Sequence, residues 1–114
     1  MGNRATLEVI SANYTGKSSH CYIYVHWDGS PETVTELVKG AAPNMRKSDH
    51  SYATARLLAH ICSKVEGGLS VGVYPPSEMY KDDGYNGHYV IDVSNGHIKN
   101  GGKLVANGIE FGNF

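Results

Sequence analysis

Tyr52, Arg56 and His60 recur every four residues within a stretch of helical apolar spacing, so a helix would line them along one face. An aromatic ring, a guanidinium and an imidazole in a row can stack on a base, chelate phosphate oxygens and bond to a polar edge. The same row also suits a solvated helix face that does no chemistry. Arg46, Lys47 and Lys81 add cations, and Met79, Tyr80, Tyr85 and Tyr89 add flat surface. A well-stacked aromatic contributes roughly 1–3 kcal/mol per base. Asn86, Asp92 and Asn95 supply groups able to bond a base edge or a ribose. Together these side chains suit a small, flat, anionic ligand.

Other chemistries fit the chain less well. Six histidines raise the question of a metal. His20 and His26 share one face of a strand but lie ~20 Å apart at ~3.3 Å per residue, too far for one ion. No HExxH or Cys/His quartet is present. Asp82-Asp83-Gly84-Tyr85-Asn86-Gly87 superficially resembles a calcium loop, but Val93 stands where the bidentate glutamate belongs. No metal and no cofactor is expected. A G-x-S-x-G elbow and a phosphate-binding glycine loop are both missing. His20 and Cys21 alternate to opposite strand faces, and His60 and Cys62 diverge around a helix. His26 and Asp28 could act as an acid–base pair or simply hydrogen-bond a corner. No catalytic residue is assigned, and the expectation is a binding protein rather than an enzyme.

The 114 residues suffice for one domain, 1–114, with a modest core. Charged residues make up 18%, below the usual share of about a quarter, while fourteen glycines and eight tyrosines are in excess. Tyrosine carries a broad apolar face and a hydroxyl, which suits interfaces and flat ligands; a homo-oligomer is therefore expected. A net charge of −1 offers no general attraction to DNA. No run approaches the roughly 20 apolar residues of a membrane helix, and the start lacks the apolar centre of a signal peptide. Cys21 and Cys62 have no CxxC spacing and read as small, reduced core residues of a cytoplasmic protein, with a disulfide the lesser alternative.

The elements that must position these groups follow from periodicity. Arg4 to Asn13 and His20 to Trp27 read as two antiparallel strands, with Tyr22, Tyr24 and His26 alternating against Ile23 and Val25. Asp28-Gly29 breaks the second strand. Ser30 then caps a helix from Glu32 to Lys39, with Pro31 at its start and Gly40 and Pro43 as stops. Trp27 at this corner is expected to pack beneath the helix. Ser48 or Asp49 caps a second helix, running to about Glu66 before Gly67-Gly68. Its Leu57, Leu58, Ile61 and Val65 face the core, with Ala53 one turn earlier. Leu69 to Tyr74 is a third strand, Ser77 to Gly87 a polar loop, and His88 to Val93 a fourth strand. Ser94-Asn95-Gly96, Asn100-Gly101-Gly102 and Asn107-Gly108 then punctuate short strands at His97–Lys99, Lys103–Ala106 and Ile109–Phe111. The implied fold is α+β: an antiparallel sheet with two helices on one face and a C-terminal β-meander. Tyrosines and histidines would line the other face.

The segment Tyr24-Val25-His26-Trp27-Asp28-Gly29-Ser30-Pro31-Glu32, preceded by Cys21 and followed by Val34 and Leu37, resembles a Y-x-H-W-D-G-x-P-E motif of small phage proteins. With the start Arg4-Ala5-Thr6-Leu7-Glu8-Val9, the chain length and the two-helix middle, it is similar to the type-one Thoeris anti-defence proteins. The likeness spans roughly the first 65 residues. It implies a sponge that sequesters cyclic ADP-ribose immune signals, such as glycocyclic ADP-ribose, without cleaving them. It further implies uptake of cyclic oligonucleotides by some members, a dimeric or hexameric assembly, and a place in the cytoplasm of an infected bacterium. The ligand residues proposed for this chain, Arg56, Tyr52, His60, Arg46, Met79, Tyr80, Tyr85, Asn86 and Asp92, rest on side-chain chemistry and not on that resemblance. The alternative is a phage or prophage module that binds a host protein and no small ligand.

Overall fold

The computed structural model describes residues 3–12, 21–64, 70–75, 87–100 and 109–114. In chain order these form β1 (Ala5–Ile10), β2 (Tyr22–Val25), α1 (Pro31–Ala41), a 3-10 turn (Ala42–Asn44), α2 (His50–Lys64), β3 (Val71–Tyr74), β4 (His88–Asp92), β5 (His97–Asn100) and β6 (Ile109–Asn113). The strands form a six-stranded sheet in the order β3-β2-β1-β4-β5-β6. The fold is α+β, with both helices packed on one face. Expected strand Lys103–Ala106, the two later turns, Val65 to Leu69 and most of the Ser77–Gly87 loop lie outside the described residues.

The sheet is mixed, not wholly antiparallel. β1 pairs antiparallel with β2, placing Leu7 opposite Ile23, but runs parallel to β4, placing Leu7 opposite Tyr89 and Val9 opposite Ile91. The remaining pairings are antiparallel, and β4, β5 and β6 follow one another as a meander. A parallel neighbour needs a long crossover, and here everything between β1 and β4 provides it. Period-two alternation is blind to strand direction, so it cannot distinguish the two arrangements.

Burial follows the alternation closely. Ala5, Leu7, Val9, Ile23, Val25, Tyr89, Ile91 and Ile98 point to the helices and join Val34, Leu37 and Val38 of α1 and Ala53, Leu57 and Ile61 of α2 in one core. Leu58 is half-buried at its margin. The Tyr89 ring is fully enclosed, and its hydroxyl donates to the Gly29 carbonyl at 3.2 Å. Burial first, and then the Glu32 carboxylate, push this phenol far above its ordinary range, so it remains a neutral donor.

Local capping accounts for the helix starts. The Ser30 hydroxyl accepts from the Thr33 N–H at 3.4 Å, with Pro31 in the first turn. Asp49 Oδ1 accepts from the Tyr52 N–H at 3.2 Å, and Ser48 precedes it in the left-handed region at φ 62°. Gly40 does not stop α1, which runs on through Ala41 into the 3-10 turn. Its role is in packing: a Cβ on Gly40 would stand 2.5 Å from His60 Nε2. The missing side chain lets the α2 imidazole sit against the α1 backbone. No described helix is long and apolar enough to cross a membrane.

Candidate functional site

Only part of the expected row on α2 comes together. The Arg46 guanidinium lies 4.1 Å above the centre of the Tyr52 ring, a cation–π stack at the start of α2. Tyr52 remains 48% exposed, so the stack is open to solvent on its outer side. Arg56, one turn further, is exposed and has no hydrogen bond or ion pair among the described residues. These three groups place two cations and one aromatic face on the surface of one helical end.

His60 leaves that group. Its imbalance of neighbours is decisive: besides touching Gly40, it lines a cleft of about 270 Å³ with Asp28, Thr33, Glu36, Leu37 and Lys64. Asp28 and Glu36 make this end of the row unfavourable for phosphate, despite Lys64. Helical spacing reports which residues share a face of α2 but says nothing of the acids that α1 and the β2–α1 corner bring to it.

Asp92 is committed elsewhere. Its Oδ1 accepts from the Ser94 N–H at 2.9 Å and its Oδ2 from the Asn95 side-chain amide at 2.9 Å. Its carbonyl accepts from the Gly96 N–H at 2.8 Å. The side chain thus builds the β4–β5 turn. Met79, Tyr80, Tyr85 and Asn86, expected to close over a base, lie outside the described residues.

The strand-to-helix corner departs from expectation. Trp27 is 39% exposed and does not pack beneath α1; its ring meets the His26 ring edge-on, with centroids 5.0 Å apart. Asp28 adopts φ 65°, which turns the chain directly after Trp27, and the next residue, Gly29, is buried. The Gly29 N–H donates to the Asn3 carbonyl at 2.7 Å, and the Asn3 N–H donates to the His26 carbonyl at 2.7 Å. The corner is sewn to the start of β1 through backbone too close for any larger residue.

On the sheet face away from the helices, the alternation of β2 extends across three other strands. The Tyr24 hydroxyl lies 2.8 Å from His26 Nδ1, and the Tyr24 and Tyr74 rings meet edge-on at 6.0 Å. Tyr22 leans on the His88 ring at 4.9 Å, and His88 Nε2 pairs with Glu8 at 2.8 Å. The expectation that tyrosines and histidines line this face is met by Tyr22, Tyr24, His26, Tyr74 and His88, whereas Glu8 and the adjacency of Tyr74 and His88 to the β2 rings were not foreseen. Their own alternation signals a strand face; only the sheet order brings those faces side by side.

One further depression sits at the end of β4. Among the described residues it is lined by Ala42, Met45 and Lys47 of the connector after α1, by Val93 to Gly96, and by Phe114, and it encloses about 240 Å³. Among the described residues no group of three or more His, Cys, Asp or Glu side chains is placed to hold a metal ion. Comparison with protein-family models, with curated proteins and with solved structures finds no match for this chain.

Proposed function

We propose that the protein is a non-catalytic sponge that binds and sequesters a nucleotide of the cyclic ADP-ribose class, such as glycocyclic ADP-ribose, in the cytoplasm of a phage-infected bacterium. The observation that carries this reading is the Arg46–Tyr52 stack with Arg56 one turn away. A base can add to the open face of Tyr52, extending the guanidinium–ring stack, while Arg56 holds a phosphate in a charge-assisted bond. The resemblance of the Tyr24–Glu32 segment to type-one Thoeris anti-defence proteins supports the ligand class. A surface seat of this kind encloses a ligand incompletely. A second subunit laid over α2 completes it, so the binding form is a homo-oligomer, in keeping with the tyrosine excess.

The test is calorimetric titration with glycocyclic ADP-ribose, followed by denaturation and chromatography of the released nucleotide. Saturable binding with intact nucleotide recovered supports sequestration. Altered nucleotide indicates a hydrolase, and an absence of binding removes the reading. At 100 times the dissociation constant, a ligand adds ~2.7 kcal/mol to stability, so a rise in melting temperature is a parallel readout.

A second reading is favoured by the aromatic sheet face. Tyr22, Tyr24, Tyr74, His26 and half-exposed Trp27 form a contiguous ring-rich surface of the kind that anchors protein interfaces. On that reading the chain binds a host protein and no small ligand. Trp27→Ala then abolishes capture of the host partner, whereas Tyr52→Ala leaves it unchanged.

A further inference from the structure

We infer that β3 is the docking edge for a second copy of this chain, whose β3 lies antiparallel across a two-fold axis at Gly72 and continues the sheet. The reason lies in which way its peptide groups point. The His26 N–H donates to the Ser70 carbonyl at 3.3 Å, and the register sets Val25 opposite Val71 and Tyr24 opposite Gly72. Bonded and unbonded pairs alternate along an antiparallel ladder, so Gly72 and Tyr74 bond to β2 while Val71 and Val73 turn their N–H and C=O groups outward. Among the described residues no strand lies beyond β3, and none of these four outward groups has a hydrogen-bond partner. The side chains are open as well. Val73 stands opposite the fully buried Ile23 yet is 47% exposed, because α2 packs over β1 and α1 over β6, and the helical layer stops short of β3.

The two ends of the sheet are finished differently. At β6, Phe111 bulges between the pairs Ile98–Gly112 and Lys99–Glu110. Its carbonyl accepts from the Thr35 hydroxyl of α1 at 3.1 Å, and Glu110 sets a charge beside His97. A bulge, a covering helix and a charge each keep an edge strand from pairing. β3 has neither bulge nor charged residue.

The occupant that fits this edge is the same strand. A two-fold at Gly72 sets Val71 of each copy opposite Val73 of the other, so every outward N–H meets an outward C=O and no like charges meet. The valines then form β-branched cross-strand pairs on the helix side. An axis at Val73 would instead set Val71 opposite Pro75, which has no N–H to give, and would leave the Val71 carbonyls unpaired. At the axis, the two Gly72 residues form an unbonded pair, whose backbones approach to about 4.5 Å. Each Tyr74 ring lies over its own Gly72, with Cε2 3.4 Å from where a Cβ would stand, and roofs the gap between the copies. Pairing of four residues covers less than the roughly 800 Å² per partner of a standard interface, so the dimer dissociates on dilution.

The test is disulfide trapping in the full chain, with the free cysteines, half-buried Cys21 and exposed Cys62, replaced by serine. Gly72→Cys sets its two sulfurs across the axis at a Cα separation of about 4.5 Å, within the ~4.4–6.8 Å that a disulfide spans. Val73→Cys, one residue along, faces Val71 and not its own counterpart. Under mild oxidation, Gly72→Cys is expected to form the covalent dimer at least tenfold faster than Val73→Cys. The parent is expected to sediment as a dimer that dissociates on dilution. Val73→Pro removes an N–H that points away from β2, so it should keep its circular dichroism spectrum and weaken the dimer at least tenfold. A parent that stays monomeric at millimolar concentration overturns the inference, as does equal trapping of the two cysteine variants. A dimer that persists undiminished in folded Val73→Pro protein is built through another face and overturns it too; should that variant not fold, the trapping ratio decides. The inference does not rest on the nucleotide reading. A trapped dimer that binds no glycocyclic ADP-ribose removes that reading and leaves this one standing, and a nucleotide-binding protein with no trapping at Gly72 does the reverse.

Discussion

Replacing Gly29 with alanine probes the corner where the strand hands over to α1. The added Cβ would stand 2.5 Å from the Asn3 carbonyl oxygen and 2.8 Å from both the Arg4 carbonyl carbon and the Ala5 Cβ. Two of these are backbone atoms of the chain entering β1, and the third belongs to a residue with no exposure, so no side-chain rotation relieves the overlap. The corner must move away. That movement breaks the Gly29–Asn3 hydrogen bond of 2.7 Å and stretches the Tyr89–Gly29 bond of 3.2 Å. Overpacking of this kind costs about 1–3 kcal/mol, and each hydrogen bond about 1 kcal/mol. The expected loss is therefore about 3–5 kcal/mol, a large share of the roughly 5–15 kcal/mol that a domain possesses. In melting temperature it amounts to a fall of about 10–20 °C. Urea denaturation and thermal melts followed by circular dichroism measure it. Gly40→Ala is the control. There the new Cβ meets only the tip of the His60 ring, at 2.5 Å, which can rotate, and alanine recovers about 1 kcal/mol of helix propensity. That variant should fall within ~1 kcal/mol of the parent. A Gly29→Ala protein that also loses less than ~1 kcal/mol would refute the close-packed corner.

Trp27→Ala should cost about 1–2 kcal/mol in urea denaturation, below the ~3–5 kcal/mol of a fully enclosed aromatic, because the ring is 39% exposed; a larger loss would place it in the core. Tyr89→Phe removes the only described donor to the Gly29 carbonyl and should lower stability by about 1–2 kcal/mol with no change in the denaturant slope. Asp92→Ala withdraws both carboxylate acceptors of the β4–β5 turn, for an expected loss of about 1–2 kcal/mol, read most directly as faster amide exchange at Ser94. Arg56→Ala should leave the melting temperature unchanged and weaken glycocyclic ADP-ribose about ten- to a hundredfold in calorimetry, the value of a charge-assisted bond. Unchanged affinity in that variant moves the phosphate contact away from α2.

Local physics made much of this protein legible in its sequence. The alternation of Tyr22 to His26 and of His88 to Asp92 assigned each side chain to a sheet face, because a pleated strand has no other period. Ser30-Pro31 marked the start of α1 through the needs of unpaired helix N–H groups, and the spacing of Ala53, Leu57 and Ile61 marked the buried side of α2. What those rules omit is every relation between segments distant in the chain. Alternation does not state direction, so the parallel union of β1 and β4 emerges only once the helices must share one face of the sheet. Helical spacing put Tyr52, Arg56 and His60 in a row, yet packing of α1 on α2 turned His60 toward Gly40, Asp28 and Glu36 and left Arg46 to join Tyr52 in its place. Trp27 looked like a core residue by type, but after the turn at Asp28 its ring stays 39% exposed beside His26, while Gly29 is the corner residue packed against Asn3 and Ala5. The depression between Lys47 and Phe114 joins residues 67 positions apart, 114 − 47, and no local pattern could have announced it. Such sites are made by the distances between elements, and those distances are set by how the whole core closes.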